Sequence, residues 1–363
     1  MPSPEERGSK RLPPSRLGAV DYAKTAPQCS ARSLCYDYPV LCDPYQRKAD
    51  YLRLSVTDRC NLRCQYCMPE GGVPHLPHSE VLTYEEMLRF ASAATASGIG
   101  KIRLTGGEPL VRRGVEDLVG GLASLSPRPD ISLTTNGLLL GRFANLLRTR
   151  GLRRVNVSVD TLDPRNYREL TRGGNLEDVL EGIAAALAAG LRPVKINAVL
   201  LKGINDRERE ILSFIELSRH LPVFVRFIEY MSPCGSLDES FFVPADLVRE
   251  ILEGLGGVEP CAGPEGGGPA TYLRLRRYGV TVGLISPVTS HFCESCNRLR
   301  LTADGKLRSC LLSSTEVDVK ELLRKGVGDD RLIEAMRKCL RDKPHRRSME
   351  GTGPNRLMSG IGG

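Results

Sequence analysis

The stretch YLRLSVTDRCNLRCQYCMP, residues 51–69, runs an apolar strand-like segment straight into three cysteines, Cys60, Cys64 and Cys67. A structural zinc site takes four ligands in a closed tetrahedron. A four-iron cluster takes one cysteine for each iron, again four. Three cysteines held this tightly therefore mean a fourth ligand elsewhere or an iron left open. His75 and His78 are the nearest candidates to complete a zinc site, within the Pro-rich VPHLPHS.

Working outward, five further apolar, β-branched runs follow: KIRLTG (101–106), DISLTT (130–135), RVNVSVD (154–160), PVKINAVLL (193–201) and VFVRFIEYM (223–231). Helical patterns lie between them. One opens on a capping box, Thr83 with Glu86, and stops at Gly98; others cover 175–190 and 207–217. Six strands alternating with helices predict an α/β fold with a parallel sheet and crossovers of one hand. Six units are two short of a closed eight-stranded barrel, so the expected form is an open, partial (βα)6 TIM-like barrel. Functional residues then gather at the C-terminal strand ends, where the first three cysteines fall.

After Met231 the composition changes. A Gly/Pro loop, CAGPEGGGPA (261–270), and short strands in TYLRLR and VTVGLIS predict a smaller C-terminal domain. It holds HFCESCNRLRLTADGKLRSCL, with Cys293, Cys296 and Cys310, and ends on MSGIGG. The expected division is a mobile Pro/Ser/Arg-rich extension over 1–45, the barrel over 46–232 and the C-terminal domain over 233–363.

The chain of 363 residues is 41% hydrophobic and 26% charged, enough for a sizeable core. Its longest apolar candidate, IAAALAAGL at 183–191, is half of the roughly 18 residues a membrane span needs, so no membrane is expected. Lys and Arg number 51 against 43 Asp and Glu, a net charge of +8. Such an excess suits nucleic acid, an anionic surface or a phosphorylated small substrate. Aromatic residues are only 5% and the cations form no exposed stripe with them, which argues against nucleic acid. Twelve cysteines without an export segment read as metal ligands rather than disulfides. Six cluster as above; Cys29, Cys35, Cys42, Cys234, Cys261 and Cys339 are scattered.

CxxxCxxC after the first strand, followed by TGGEP (Thr105–Pro109) on the second, resembles the radical S-adenosylmethionine superfamily. There, three cysteines hold three irons of a [4Fe–4S] cluster and the fourth iron takes the amino and carboxylate groups of S-adenosylmethionine, releasing a 5′-deoxyadenosyl radical. Gly106 and Gly107 would admit a ligand close to the backbone, and Glu108 would accept from the cofactor's ammonium group. The second triplet offers three thiolates again, and with them a second open iron. Between its cysteines, Arg298 and Arg300 point to one side if the segment is extended, and arginine suits bidentate phosphate contact.

From about residue 50 to the end, the ordered motifs are similar to the molybdenum cofactor biosynthesis protein A family, the GTP 3′,8-cyclases. The resemblance implies two [4Fe–4S] clusters, held by Cys60, Cys64, Cys67 and by Cys293, Cys296, Cys310. It implies S-adenosylmethionine contacts at Tyr66, Gly107, Glu108, Ser158 and Met231. GTP contacts fall on Arg53, Lys101, Arg103, Thr134, Lys195, Arg226, Arg298, Leu299 and Arg300, with catalytic roles for Arg298, Arg300, Gly362 and Gly363. It also implies an electron donor and, downstream, cyclic pyranopterin monophosphate synthase; a homodimer is left open, as are bacterial cytoplasm and mitochondrial matrix. Two alternatives stand beside this reading: a radical enzyme acting on a peptide, with an auxiliary cluster, and a zinc-binding interaction protein.

Overall fold

Alternate residues along the first strands are aliphatic while their neighbours are polar, and the two sets take opposite faces of one sheet. The structure, a computed structural model, describes residues 40–231, 240–346, 356 and 358–362. In chain order the first part comprises β1 (Tyr51–Ser55), α1 (Tyr84–Ala96), β2 (Lys101–Thr105), α2 (Val115–Ala123), β3 (Asp130–Thr135), α3 (Leu140–Thr149), β4 (Arg154–Ser158), α4 (Pro164–Thr171), α5 (Leu176–Ala188), β5 (Val194–Leu200), α6 (Glu208–His220) and β6 (Val223–Glu229). There follow α7 (Asp246–Gly254), β7 (Val258–Cys261), β8 (Thr271–Leu275), β9 (Val280–Ile285), β10 (Arg298–Leu301), β11 (Lys306–Arg308), β12 (Val317–Asp318), α8 (Lys320–Arg324), α9 (Asp329–Arg341) and α10 (Met358–Ile361).

The apolar set, among it Leu52, Leu54, Ile102, Leu104, Leu133, Val157, Ile196 and Phe227, is fully buried beneath the helices. Each such side chain contributes about 1.5–3 kcal/mol. The helices start where local chemistry starts them. Thr83 Oγ1 accepts from Glu86 N at 3.2 Å and Glu86 Oε2 from Thr83 N at 2.8 Å, closing the capping box of α1. Asn175 caps α5 with a single bond, its Oδ1 accepting from Glu177 N at 3.3 Å.

Strand order is β12-β11-β10-β1-β2-β3-β4-β5-β6-β9-β8-β7, an open sheet. The six expected strands lie side by side in parallel. Two more parallel strands come from the C-terminal third: β10 joins β1, and β9 joins β6. Strands of the expected C-terminal domain thus extend the barrel sheet at both edges. Their aliphatic residues explain this, since Leu299, Leu301, Val282 and Leu284 need cover on the helix side. The sheet curls, because Met231 beyond β6 and Arg298 and Arg300 on β10 line one cavity.

Residues 40–45 were assigned to the mobile extension, yet Leu41 is in the core and Cys42 bridges to Lys48. Asp43 accepts from Arg47 at 2.5 Å, and Arg47 Nη1 donates to the Cys293 carbonyl at 2.7 Å. The Arg47–Cys293 contact joins residues 246 positions apart, which no local pattern reveals. Residues 1–39, with Cys29 and Cys35, lie outside the described residues. So do 232–239, where the expected domain division falls, Cys234, and Gly363.

Candidate active site

The polar set faces the inside of the curl, and it is dominated by cations. Register places Arg53 directly between Arg300 on β10 and Arg103 on β2. Continuing around, Ser132 is beside Arg154, Asn156 beside Lys195, and Asn197 beside Arg226. Neighbouring strands are about 4.8 Å apart, so like charges in this row repel. Burial, then Arg300, holds the Arg53 guanidinium well below its ordinary pKa. Burial brings Arg300 to about 10 with Arg298 adding to it, and brings Arg226 to about 10 as well. Lys195, only 2% exposed, falls to about 7 through burial and then Arg226, Arg103 and Arg154.

Neutral groups separate these charges where they can. Arg103 Nε donates to Ser132 Oγ at 3.2 Å and Arg226 Nη2 to Asn197 Oδ1 at 2.5 Å. With its amide oxygen turned inward, Asn156 accepts from Arg226 Nη2 at 2.8 Å and from Arg103 Nη1. Arg154 pairs with Asp130. Carboxylates are scarce beside these cations. Such a lumen is suited to a polyanion.

The expected GTP contacts Arg53, Lys101, Arg103, Thr134, Lys195, Arg226, Arg298 and Arg300 all belong to this inward set. Leu299 does not: its side chain is on the opposite face, registered with Leu52 in the core, so only its backbone is left for a ligand. Arg154, Asn156 and Asn197 were missed. Their signal was parity, since Arg154 and Asn156 alternate with Val155 and Val157 exactly as Lys195 alternates with Ile196.

The two cysteine triplets occupy opposite ends of this lumen. Cys60, Cys64 and Cys67 follow the C-terminal end of β1. Cys296 precedes Arg298, which is registered with Tyr51 at the start of β1, and Cys310 follows Arg308, paired with Arg300 on the antiparallel β11.

At the C-terminal rim the cysteine loop rests on the GGEP segment. Gly107 N donates to Thr57 O and Glu108 N to Arg59 O, both at 2.8 Å. A Cβ on Gly106 would meet Thr57 O at 2.5 Å, and one on Gly107 would meet Arg59 O at 2.3 Å. On the Cβ side of these glycines lies the chain's own backbone, so the cysteine loop and the GGEP segment pack main chain to main chain. Glu108 ties this segment to its neighbours. It is 1% exposed and accepts from Thr135 Oγ1 at 2.8 Å, Asn136 N at 2.7 Å and Leu110 N at 3.0 Å, bracing three loops. Burial pushes its carboxyl up to about 7.

Burial pushes the Cys64 and Cys67 thiols up, Cys67 to about 12, with Asp160 and the neighbouring cysteines adding to it. Three thiolates here need a cation. Leu62 N points at Cys60 Sγ from 3.4 Å. His75 faces Asp58 instead, 3.7 Å away. Among the described residues no three Cys, His, Asp or Glu side chains are set to hold a single metal ion. A four-iron cluster meets its cysteines at its corners and needs no such convergence. Beside Cys67, Tyr66, Val199, Met231 and Met358 line a cleft. Tyr66 donates to Asp160 Oδ2 at 2.7 Å, and Ser158 ends β4 at this same rim.

The second triplet is in an electropositive setting. Burial raises the Cys296 thiol, but Arg298 and Lys343 outweigh it and leave the thiol below its ordinary value. Lys343 Nζ donates to the Cys296 and Arg298 carbonyls at 2.8 and 3.1 Å, while Arg47 holds Cys293. Neither Arg47 nor Lys343 carries a local sequence signal.

The chain end reaches the lumen. Gly362, at φ +81°, lies against Ser55 and Thr105, and its carbonyl accepts from Arg300 Nη1 at 3.1 Å. Ile361 is 1% exposed. Upstream, Arg356 spans Asp304 and Glu316 with contacts of 3.0–3.2 Å.

With this geometry in place, comparison with known proteins is informative. The radical SAM superfamily profile matches residues 54–215, and the profile for molybdenum cofactor synthesis C matches 223–349. A GTP 3′,8-cyclase of Pelotomaculum thermopropionicum is 49% identical over 326 residues, covering 88% of this chain and 99% of that protein. The chain belongs to the GTP 3′,8-cyclase family. Further members from Heliobacterium modesticaldum and Moorella thermoacetica are each 48% identical, again over 88% of this chain and 99% of theirs. Among solved structures, Streptococcus suis SuiB bound to S-adenosylmethionine superposes with a TM-score of 0.56 at 15% identity, over 81% of this chain and 69% of that one. That likeness establishes the fold, the partial barrel of the radical SAM type. Family membership brings S-adenosylmethionine and [4Fe–4S] clusters as cofactors, and both triplets fit the latter: free, part-buried cysteines in threes, one triplet at each end of a polar lumen. Among the described residues no helix is long and apolar enough to cross a membrane.

Proposed function

We propose that this chain converts GTP into (8S)-3′,8-cyclo-7,8-dihydroguanosine 5′-triphosphate, the first step of molybdopterin synthesis. The observation that carries this reading is the cationic lumen between two cysteine triplets. Arg53, Arg103, Arg154, Lys195, Arg226, Arg298 and Arg300 surround one space, and a triphosphate supplies the negative charge that relieves their repulsion. A peptide substrate would leave that charge without a purpose.

Cys60, Cys64 and Cys67 would hold the first cluster, with Tyr66, Gly107, Ser158 and Met231 around S-adenosylmethionine. Cys293, Cys296 and Cys310 would hold the second, leaving one corner to the guanine. When bound, the first cluster and S-adenosylmethionine supply a carbon-centred radical able to take the ribose 3′ hydrogen. The chain's own tasks are then orientation and exclusion of water. Arg53, Arg103, Lys195 and Arg226 fix the phosphates, and Arg298 and Arg300 bind beside the second triplet. Gly362 closes the lumen from the rim side, and a catalytic role for Gly363 belongs to the same reading. Glu108 acts indirectly, by holding the GGEP segment against the cysteine loop. The two profile matches support a division into a barrel over 46–232 and a C-terminal part over 233–363. An electron donor and the downstream synthase are the partners this reading implies, and the bacterial origin of the relatives favours the cytoplasm. Whether two copies associate is decided by sedimentation of the reconstituted protein.

The test is anaerobic incubation of the reconstituted protein with GTP, S-adenosylmethionine and dithionite. Formation of 5′-deoxyadenosine together with a cyclised guanosine triphosphate is expected. Deoxyadenosine without any GTP-derived product would redirect the search to another substrate.

A further inference from the structure

One segment of the lumen wall has no role in the reading above. Between β7 and β8 the Gly/Pro loop crosses the N-terminal mouth of the sheet, where β2, β4 and β5 begin. The Glu265 carbonyl accepts from Lys195 Nζ at 2.7 Å. Gly266 packs so close to Arg154 that a Cβ would lie 2.7 Å from its Cζ. A Cβ on Gly267 would be 3.7 Å from Lys101 Nζ, and one on Gly268 would be 3.9 Å from Arg226 Nη1. These three glycines take φ of +99°, +62° and +134°, which side chains disfavour. Bare backbone is therefore laid against cations from β2, β4, β5 and β6. The outer side of the loop, at Glu265, Gly267 and Gly268, is exposed to solvent. Arg154 itself faces inward, is 6% exposed, and has Asp130 as its ion-pair partner.

We propose that residues 265–268 and Arg154 form the seat of the nucleotide's terminal phosphate, so that this loop sets the length of phosphate chain the lumen accepts. The proposal rests on the GTP reading. Its physical basis is that side-chain-free turns leave backbone N–H groups uncovered for an anion, and here the turn itself adjoins guanidinium and ammonium groups. Lys195 is held by a neutral carbonyl, a weaker partner than a phosphate oxygen. Arg154 is the inward cation whose position the floor fixes directly, since Gly266 leaves its guanidinium no room to retreat.

The experiment is equilibrium dialysis of guanosine, GMP, GDP and GTP against the full-length, anaerobically reconstituted protein. It compares wild type with Gly266→Val, which pushes into Arg154, and with the neutral pair Arg154→Gln/Asp130→Asn, which removes both charges of the ion pair together. Wild type should tighten with each phosphate added. Both variants should bind guanosine and GMP within about twofold of wild type, while the gain from GDP to GTP shrinks about tenfold, the size of one charge-assisted contact. An unchanged GDP-to-GTP gain in the neutral pair overturns this inference and leaves the GTP reading standing. An equal loss for all four ligands also overturns it, by showing general damage to the site. A wild type that binds GTP no better than guanosine overturns both.

Discussion

Replacing Gly362 by alanine tests whether the chain end belongs in the lumen. At φ +81° an L-residue costs about 1–2 kcal/mol relative to glycine. The added Cβ would lie 2.7 Å from Thr105 Oγ1 and 2.8 Å from Ser55 Cβ. Both neighbours are strand residues, 2% and 0% exposed, with no space to move into. Forcing a methyl group into such a place costs about 1–3 kcal/mol. Together these terms amount to roughly 2–5 kcal/mol, which lowers the inserted population about 30-fold or more relative to a displaced tail. What holds the tail is the Arg300 hydrogen bond to Gly362, the burial of Ile361, and the Arg356 contacts, a sum of similar size. The variant should therefore exchange its C-terminal amide hydrogens at least about tenfold faster, read by mass spectrometry, and cyclise GTP far more slowly. Iron content should stay the same. Thr105 Oγ1 has no hydrogen-bond partner among the described residues, so Thr105→Ala removes the shorter clash without stranding a donor. The double variant should recover part of both losses. Wild-type exchange and turnover in Gly362→Ala would refute the reasoning, and a double variant no better than the single would refute the steric account.

Cys64→Ala should lose about four irons and all deoxyadenosine formation, whereas Cys296→Ala should keep S-adenosylmethionine cleavage and lose GTP affinity; identical phenotypes would show that the triplets do not divide the work. Lys195, with a pKa near 7 in the folded protein against an ordinary 10.5, adds stability that is present above 10.5 and lost as pH falls through about 7. A phosphate raises that pKa, so GTP binding at pH 8 should take up a proton, seen as calorimetric heats that vary with the buffer's ionisation enthalpy and abolished in Lys195→Met. Buffer-independent heats in wild type would remove Lys195 from the phosphate site. Arg356→Ala should loosen the chain end as Gly362→Ala does, with more rapid C-terminal exchange and unchanged iron, because Asp304 and Glu316 lose the guanidinium that spans them; wild-type exchange would place the anchor elsewhere.

Local periodicity by itself determined much of this protein. The six strands fall where alternating runs placed them, Thr83 and Glu86 close the helix start they signalled, and CxxxCxxC stands at the C-terminal end of β1. These features are legible because strand parity and capping involve residues within a few positions of one another. The tertiary structure alone decided the rest. It carried β10 across some 250 residues to lie against β1, and so placed Arg300 beside Arg53 but turned Leu299 into the core. It set Gly106 and Gly107 against the backbone of the cysteine loop, and gave Glu108 three hydrogen bonds that brace the rim. It drew Arg154 into the lumen, laid a Gly-rich loop over the mouth, and brought Gly362 to Arg300. Each of these depends on which strand edges meet when the sheet curls, a choice made by pairing and burial over the whole chain and not by any single segment.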